Sequence, residues 1–236
     1  RTRKGWHDAL GTSYLHLGLF YWNEGELYER GEDFEEAEKS YRIALGYIEK
    51  ALDEFDIEGD SSKITNATVY LGAAYYMLYE YDRALQILKE ASELAIAIKD
   101  SDELVNVWLN MSNIFTEQDM LDSARFYMNS ASNYFKSIGD LRGLSIALTN
   151  TADMTMDNPY QSIEMLKEAD SLSTILGLFN DKATIQEHLA FFYEAAGNYE
   201  EALAHYRTYQ SLKDSLLNRA FKDQELGVRY QTDRYK

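Results

Sequence analysis

Leu189-Ala190-Phe191-Phe192-Tyr193-Glu194-Ala195-Ala196-Gly197-Asn198-Tyr199-Glu200-Glu201-Ala202-Leu203-Ala204-His205-Tyr206 is the stretch whose reading decides the fold. Apolar and small residues recur three and four positions apart on either side of Gly197-Asn198, as in two amphipathic helices joined by a tight turn. Small residues at Ala190 and Ala202 let the two helices approach closely. Large residues at Tyr193, Tyr199 and Tyr206 fill the groove between them, in the ridge-and-groove manner of packed helices. The offsets of the second helix recur as Phe34/Ala37/Tyr41, Tyr81/Ala84/Leu88, Leu121/Ala124/Met128 and Pro159/Ser162/Leu166. The small residues at 37, 84, 124, 162 and 202 stand 47, 40, 38 and 40 residues apart. A period near 40 with a helical pattern inside each unit marks a helical repeat array.

Composition agrees. The chain of 236 residues is 45% hydrophobic, enough for a long core, and holds one proline and 13 glycines. So few breakers fit a nearly all-helical protein. No apolar run approaches the ~20 residues of a membrane helix. The 40 acidic and 23 basic side chains leave a net charge of −17, which repels phosphate backbones and argues against nucleic-acid contact by these residues. Basic or neutral protein or peptide partners suit the charge better, and a homo-oligomer is a separate expectation. Runs such as Glu32-Asp33-Phe34-Glu35-Glu36 read as solvated helix starts that suit the helix dipole. Cysteine is absent, which removes disulfides and thiolate chemistry together.

The stretch 189–206 resembles the tetratricopeptide repeat, with its W-x2-L-G-x2-Y, Gly, aromatic, Ala, aromatic, Ala pattern. Leu71-Gly72, Tyr75, Tyr81, Ala84, Leu88 and Ala91 match it in a second copy. Trp108, Met111, Ser112, Phe115, Leu121, Ala124, Met128 and Ala131 form a third, and Gly25, Tyr28, Phe34, Ala37, Tyr41 and Ala44 a first. A fourth diverges in its first helix (Ala147, Leu148, Ala152) and turn (Asp157-Asn158-Pro159), but Ser162 to Ala169 echoes Ala84 to Ala91. The resemblance implies an all-α fold, a TPR-like right-handed α-α superhelix (solenoid) of about five helical hairpins with a long last helix. The expected repeats are about 18–57, 62–100, 101–140, 141–179 and 180–213. Residues 1–17 form an N-terminal capping part of the first helix, and 214–236 a C-terminal helical extension. Helix pairs are expected at 6–30 with 33–54, 62–79 with 81–99, 101–118 with 120–137, 141–156 with 159–175, and 180–196 with 199 onward. The acidic segment Asp53 to Asp60 lacks the oxygen spacing of a calcium loop and reads as an exposed loop between repeats.

The period exceeds the usual 34 residues. Longer helices of this kind resemble the peptide-sensing, response-regulator-binding repeats of Gram-positive bacteria and the sensor region of Bacteroides-type signalling regulators. Leu212-Lys213-Asp214-Ser215-Leu216, followed by Glu225-Leu226, Tyr230 and Thr232, looks like the junction after the last repeat of the Bacteroides-type regulators. In that family it leads to a membrane span and a kinase or helix-turn-helix output. The chain opens without methionine and closes inside a helical pattern, so both ends are expected to continue into a longer protein. Membrane contact is then expected only through flanking sequence. These residues would form an extracytoplasmic (periplasmic) region, with a cytoplasmic location as the alternative. The function implied is a protein- or peptide-binding scaffold serving as the sensory or interaction region of a bacterial signalling or transcriptional regulator. The alternatives are a stand-alone adaptor and a cytoplasmic peptide-responsive regulator of a response regulator.

Enzymatic motifs do not emerge. His7, His16, His188 and His205 form no metal-ligand pair on one helix, and there is no phosphate loop or nucleophile elbow. No catalytic residue, cofactor or metal is expected. His205 reads as a surface residue and His188 as a structural histidine. In such repeats the first helices line the concave face. Trp22, Asn23, Glu26, Tyr76, Asn106, Asn110, Asn113, Glu187 and Glu194 are the candidate ligand-facing residues. Asn106, Asn110 and Asn113 share one helix face, and their amides suit clamping an extended peptide backbone. Glu187 and Glu194 suit a basic side chain or an N-terminal amine. The same polar residues also do what any exposed helix face requires, which is to keep it wet.

Overall fold

The computed structural model describes residues 5–234, with side chains for residues 5–218. Ten helices follow one another: α1 (Trp6–Arg30), α2 (Phe34–Glu58), α3 (Ser61–Met77), α4 (Tyr81–Ile98), α5 (Ser101–Glu117), α6 (Leu121–Ile138), α7 (Leu141–Asp153), α8 (Pro159–Leu176), α9 (Phe179–Ala195) and α10 (Tyr199–Arg234). The fold is all-α and TPR-like. Acidic or amide side chains start several helices by accepting a bond from a main-chain N–H left free in the first turn: Asp33 from Glu36, Asp60 from Lys63, Asp100 from Glu103, Asp140 from Gly143 and Asn158 from Gln161. Left-handed residues such as Gly59, Gly177 and Gly197 stop the chain at helix ends.

The chain divides into two compact units, residues 1–127 and 128–236, with the division inside α6. In the first unit α1 pairs with α2 and α3 with α4, while α5 docks on the start of α6 through a Ser112 hydroxyl that donates to the Ala124 carbonyl at 2.9 Å. Its core gathers Ile48, Val69, Leu71, Tyr75, Leu88, Val107, Met111 and Ile114. In the second unit α7 pairs with α8 and α9 with α10, around Ala152, Ile163, Leu166, Ile185, Leu189 and Phe192. The small residues of the repeat motif are all buried: Ala37, Ala84, Ala124, Ser162 and Ala202. Their large partners are less uniform. Tyr41, Leu88, Met128 and Leu166 are buried, whereas Phe34 and Tyr199 stand at helix starts with 62% and 70% of their surface exposed. Tyr206 is half exposed as well.

The helix map departs from expectation at the end of α7, which stops at Asp153 rather than 156, and at the end of α2. Residues 53–58 are not loop but the last turns of α2, which stops only at the left-handed Gly59. Phe55 explains the extension: it is buried, and it packs against α1 at Gly11. α1 carries buried glycines at 11, 18 and 25, seven apart, and α2 answers with Phe55, Ile48 and Tyr41, seven apart in the antiparallel sense. A seven-residue spacing keeps each element of such a seam on one helix face, and absent side chains let the helices close in. The Asp8–Lys63 ion pair and a 2.5 Å contact of His7 Nδ1 with Glu54 tie the start of α1 down.

α10 runs unbroken to Arg234. The side chains of Glu225, Leu226, Tyr230 and Thr232 lie outside the described residues. Of the junction motif's first part, Leu212 and Leu216 are half-buried, and Lys213, Asp214 and Ser215 are exposed.

Candidate functional site

First helices of successive hairpins touch directly, α3 with α5 in the first unit and α7 with α9 in the second. In the first unit this contact is polar at its N-terminal end. Asn66 of α3 donates to Glu103 Oε1 at 2.6 Å, and Asn106 donates to Glu103 Oε2 at 3.2 Å. Asn110 donates to the Asn106 carbonyl at 2.8 Å, so both amides of this candidate pair already hold internal bonds. Asn113 is exposed, Asn106 exposed and Asn110 half-buried.

Trp22 and Glu26 come together: the indole N–H donates to Glu26 Oε1 at 3.0 Å, and Arg30 reaches the other oxygen at 3.4 Å. Trp22 also packs edge-on to Tyr41 and against the core, and Tyr76 packs beside Tyr81. Both are therefore packing residues with one partly open side. Asn23 is exposed. Glu187 and Glu194 sit exposed on α9 in the second unit.

The α7–α9 contact holds a cleft. A pocket of about 150 Å³ is lined by Ser145, Ile146, Thr149, Asn150, Asp181, Thr184 and Ile185. The Ser145 hydroxyl is spent on α8, at 3.1 Å from the Ala169 carbonyl and 3.0 Å from Ser173 Oγ. Thr149 donates to the Ser145 carbonyl at 2.9 Å. Asp181 Oδ2 is different. It is shut from solvent and accepts no hydrogen bond among the described residues, its charge being met only by a long ion pair with Arg142 Nε at 3.8 Å. A solvent-shielded carboxylate oxygen without a donor is costly, and a ligand N–H would satisfy it.

The far end of the same contact is closed by Asp153 Oδ1, 3.1 Å from His188 Nδ1, a charge contact rather than an aligned hydrogen bond. The carboxylate raises the His188 pKa above its ordinary value. Sequence reasoning had not singled out Asn66, Glu103, Asn150, Asp181 or Thr184. The signal for the last three was the three- and four-residue spacing of polar residues 142, 145, 149 and 153 on one first helix against 181, 184 and 188 on the next.

His205 is not the surface residue its position suggested. It is half-buried and stacks on Tyr193, ring centres 5.2 Å apart and nearly parallel. Buried Gln186 donates from Nε2 to Asp170 at 2.7 Å, so its Oε1 accepts, and His205 donates to it from Nδ1 at 2.7 Å. Burial lowers the His205 pKa. Among the described residues no group of three or more histidines and carboxylates could hold a metal ion, and no helix is long and apolar enough to cross a membrane.

Residues 66–98, most of α3 and all of α4, match the tetratricopeptide repeat family model. No curated protein matches the chain by sequence. Among solved structures, BtubC (BKLC) from P. vanneervenii superposes with a TM-score of 0.71 at 15% identity, covering 89% of this chain and 92% of that one. The TPR-like repeats of a putative kinesin light chain from Podosopora anserina give 0.65 at 11% identity, covering 84% and 95%. A Signal Transduction ATPase with Numerous Domains with a tetratricopeptide repeat sensor, from Pyrococcus horikoshii, gives 0.62 at 17% identity, covering 87% of this chain and 38% of that one. At these identities the likeness is one of fold. The chain is an all-α protein of tetratricopeptide-like helical hairpins.

Proposed function

We propose that this chain is a protein- or peptide-binding scaffold whose ligand lies along the first helices, and that it serves as the sensory or interaction region of a bacterial signalling or transcriptional regulator. The observation that carries the binding reading is the α7–α9 cleft, where Asp181 Oδ2 is shielded from water yet accepts no hydrogen bond. A donor on an extended ligand, a backbone N–H or a basic group, completes it. Asn150 and Thr184 line the same cleft and would supply further polar contacts. The sensory role is supported by the junction motif beginning at Leu212 and by the unbroken α10, and the fold likeness to a protein with a tetratricopeptide sensor is consistent with it. Ligand binding would alter the packing of first helices, and α10 would carry that change onward.

Peptide display against the chain, followed by calorimetry, tests the binding reading. The expected result is a saturable binder weakened about tenfold by Asp181→Asn, the loss of one charge-assisted hydrogen bond. Binders that ignore Asp181→Asn, Asn150→Ala and Thr184→Ala would sink it. The sensory role is tested in the full-length protein, where the same peptide must change output and Asp181→Asn must blunt the change.

A further inference from the structure

A second pocket lies in the first unit, away from the α3–α5 contact, where the α1–α2 turn meets the α3–α4 turn. It measures about 200 Å³, room for one long side chain rather than a drug-sized ligand, for which pockets start at about 300 Å³. Its lining includes Phe34, Tyr41, Met77 and Tyr79 together with Glu29 and Glu38. Glu38 is paired with Arg42 at 2.8 Å. Glu29 has no cation in ion-pair range among the described residues. Its charge is met by neutral phenols alone: Tyr41 donates to Oε2 at 2.9 Å and Tyr79 to Oε1 at 3.4 Å.

Tyr79 occupies the left-handed position that ends α3, with φ 60°, where the first and third hairpins place Glu32 and Asp119 and the fifth places Gly197 at φ 78°; it alone of these four puts an aromatic ring there. A bulky residue held there costs about 1 kcal/mol or more. Burial does not repay that strain, because Tyr79 is 65% exposed, and Phe34 across the pocket is 62% exposed. What the position achieves is a second aromatic wall beside an uncompensated carboxylate. Both features favour a cation: the ring faces are electron-rich, and the carboxylate lacks a counter-charge. Tyr41 and Tyr79 have raised pKa values, from burial first and then from Glu29 beside them.

We propose that the pocket formed by Glu29, Phe34, Tyr41, Met77 and Tyr79 receives a long basic side chain, arginine or lysine, of a partner protein. The apolar stem lies between Met77 and the rings, and the charged head meets Glu29. Charge complementarity selects this occupant over an apolar one, because an apolar chain would leave the Glu29 carboxylate further desolvated with no counter-charge. The site does not depend on the α7–α9 cleft, and either can fail without the other.

The probe is Nα-acetyl-arginine methylamide, with the neutral citrulline analogue as control, added to the intact chain at physiological salt and followed by NMR. The arginine compound should shift the Phe34, Tyr41 and Tyr79 ring signals saturably, and the citrulline compound should bind at least about tenfold more weakly. Glu29→Gln should abolish that difference. Tyr79→Gly should weaken binding several-fold while leaving the thermal midpoint unchanged or higher, because glycine relaxes the left-handed turn. Equal binding of the two probes overturns the proposal. So do shifts scattered over the acidic surface, or full binding by Tyr79→Gly.

Discussion

Two histidines in the second unit set opposite pH responses, and each traces to its nearest neighbours. Asp153 raises the His188 pKa against a smaller opposing effect of burial. The stability His188 contributes is therefore fully present below the unfolded value of about 6.5 and is lost as pH rises through its higher folded value. His205 is displaced the other way by burial between Tyr193 and Gln186. The fold resists its protonation, so His205 costs stability as pH falls below about 6.5. Asp153→Asn should bring the His188 titration down in an NMR pH series. It should also make the protein lose more stability than wild type between pH 7.5 and 5.5, measured by urea unfolding at both values. An unchanged His188 titration in that variant would show that Asp153 does not set it.

At the scale of the element, the α1–α2 hairpin is held by a seam of absent side chains. A Cβ built at Gly25 would lie 2.5 Å from Cε1 of Tyr41. Tyr41 cannot step aside easily, because it is 2% exposed and its hydroxyl is bonded to Glu29. Gly25→Ala therefore overpacks the hairpin, despite alanine's better helix propensity of about 1 kcal/mol. The expected net effect is a destabilisation of about 1–2 kcal/mol in urea unfolding. Gly46→Ala on α2, where the added Cβ meets nothing within 4 Å, should instead be neutral or mildly stabilising. Equal effects from the two substitutions would mean that the seam does not control the packing of this hairpin. The same seam keeps α2 helical through residues 53–58, since Phe55 must reach Gly11.

The whole chain is governed by its charge. A net −17 over 236 residues destabilises the compact state through self-repulsion, and salt screens it. The thermal midpoint should rise by several degrees between 20 mM and 500 mM sodium chloride, checked by circular dichroism. A falling midpoint would mean that ion pairs such as Lys63–Asp8 and Lys39–Glu35 contribute more than the net repulsion. That outcome is not expected, because exposed pairs each contribute roughly 0–1 kcal/mol.

What the sequence determined alone was the hairpin array. Small residues at 37, 84, 124, 162 and 202 record a local requirement, close approach of neighbouring helices, and a local requirement leaves a period that can be counted. Helix starts were legible for the same reason, since Asp60, Asp100 and Asp140 act on backbone three residues away. Much of the site chemistry was not. Asn66 meets Glu103 across 37 residues, and Tyr79 reaches Glu29 across 50. Which polar residue on a first helix is spent internally, like Asn110, and which carboxylate is left without a donor, like Asp181, depends on the neighbouring helix. Only tertiary packing decides that, because burial and hydrogen-bond satisfaction are properties of the contact and not of either strip of sequence.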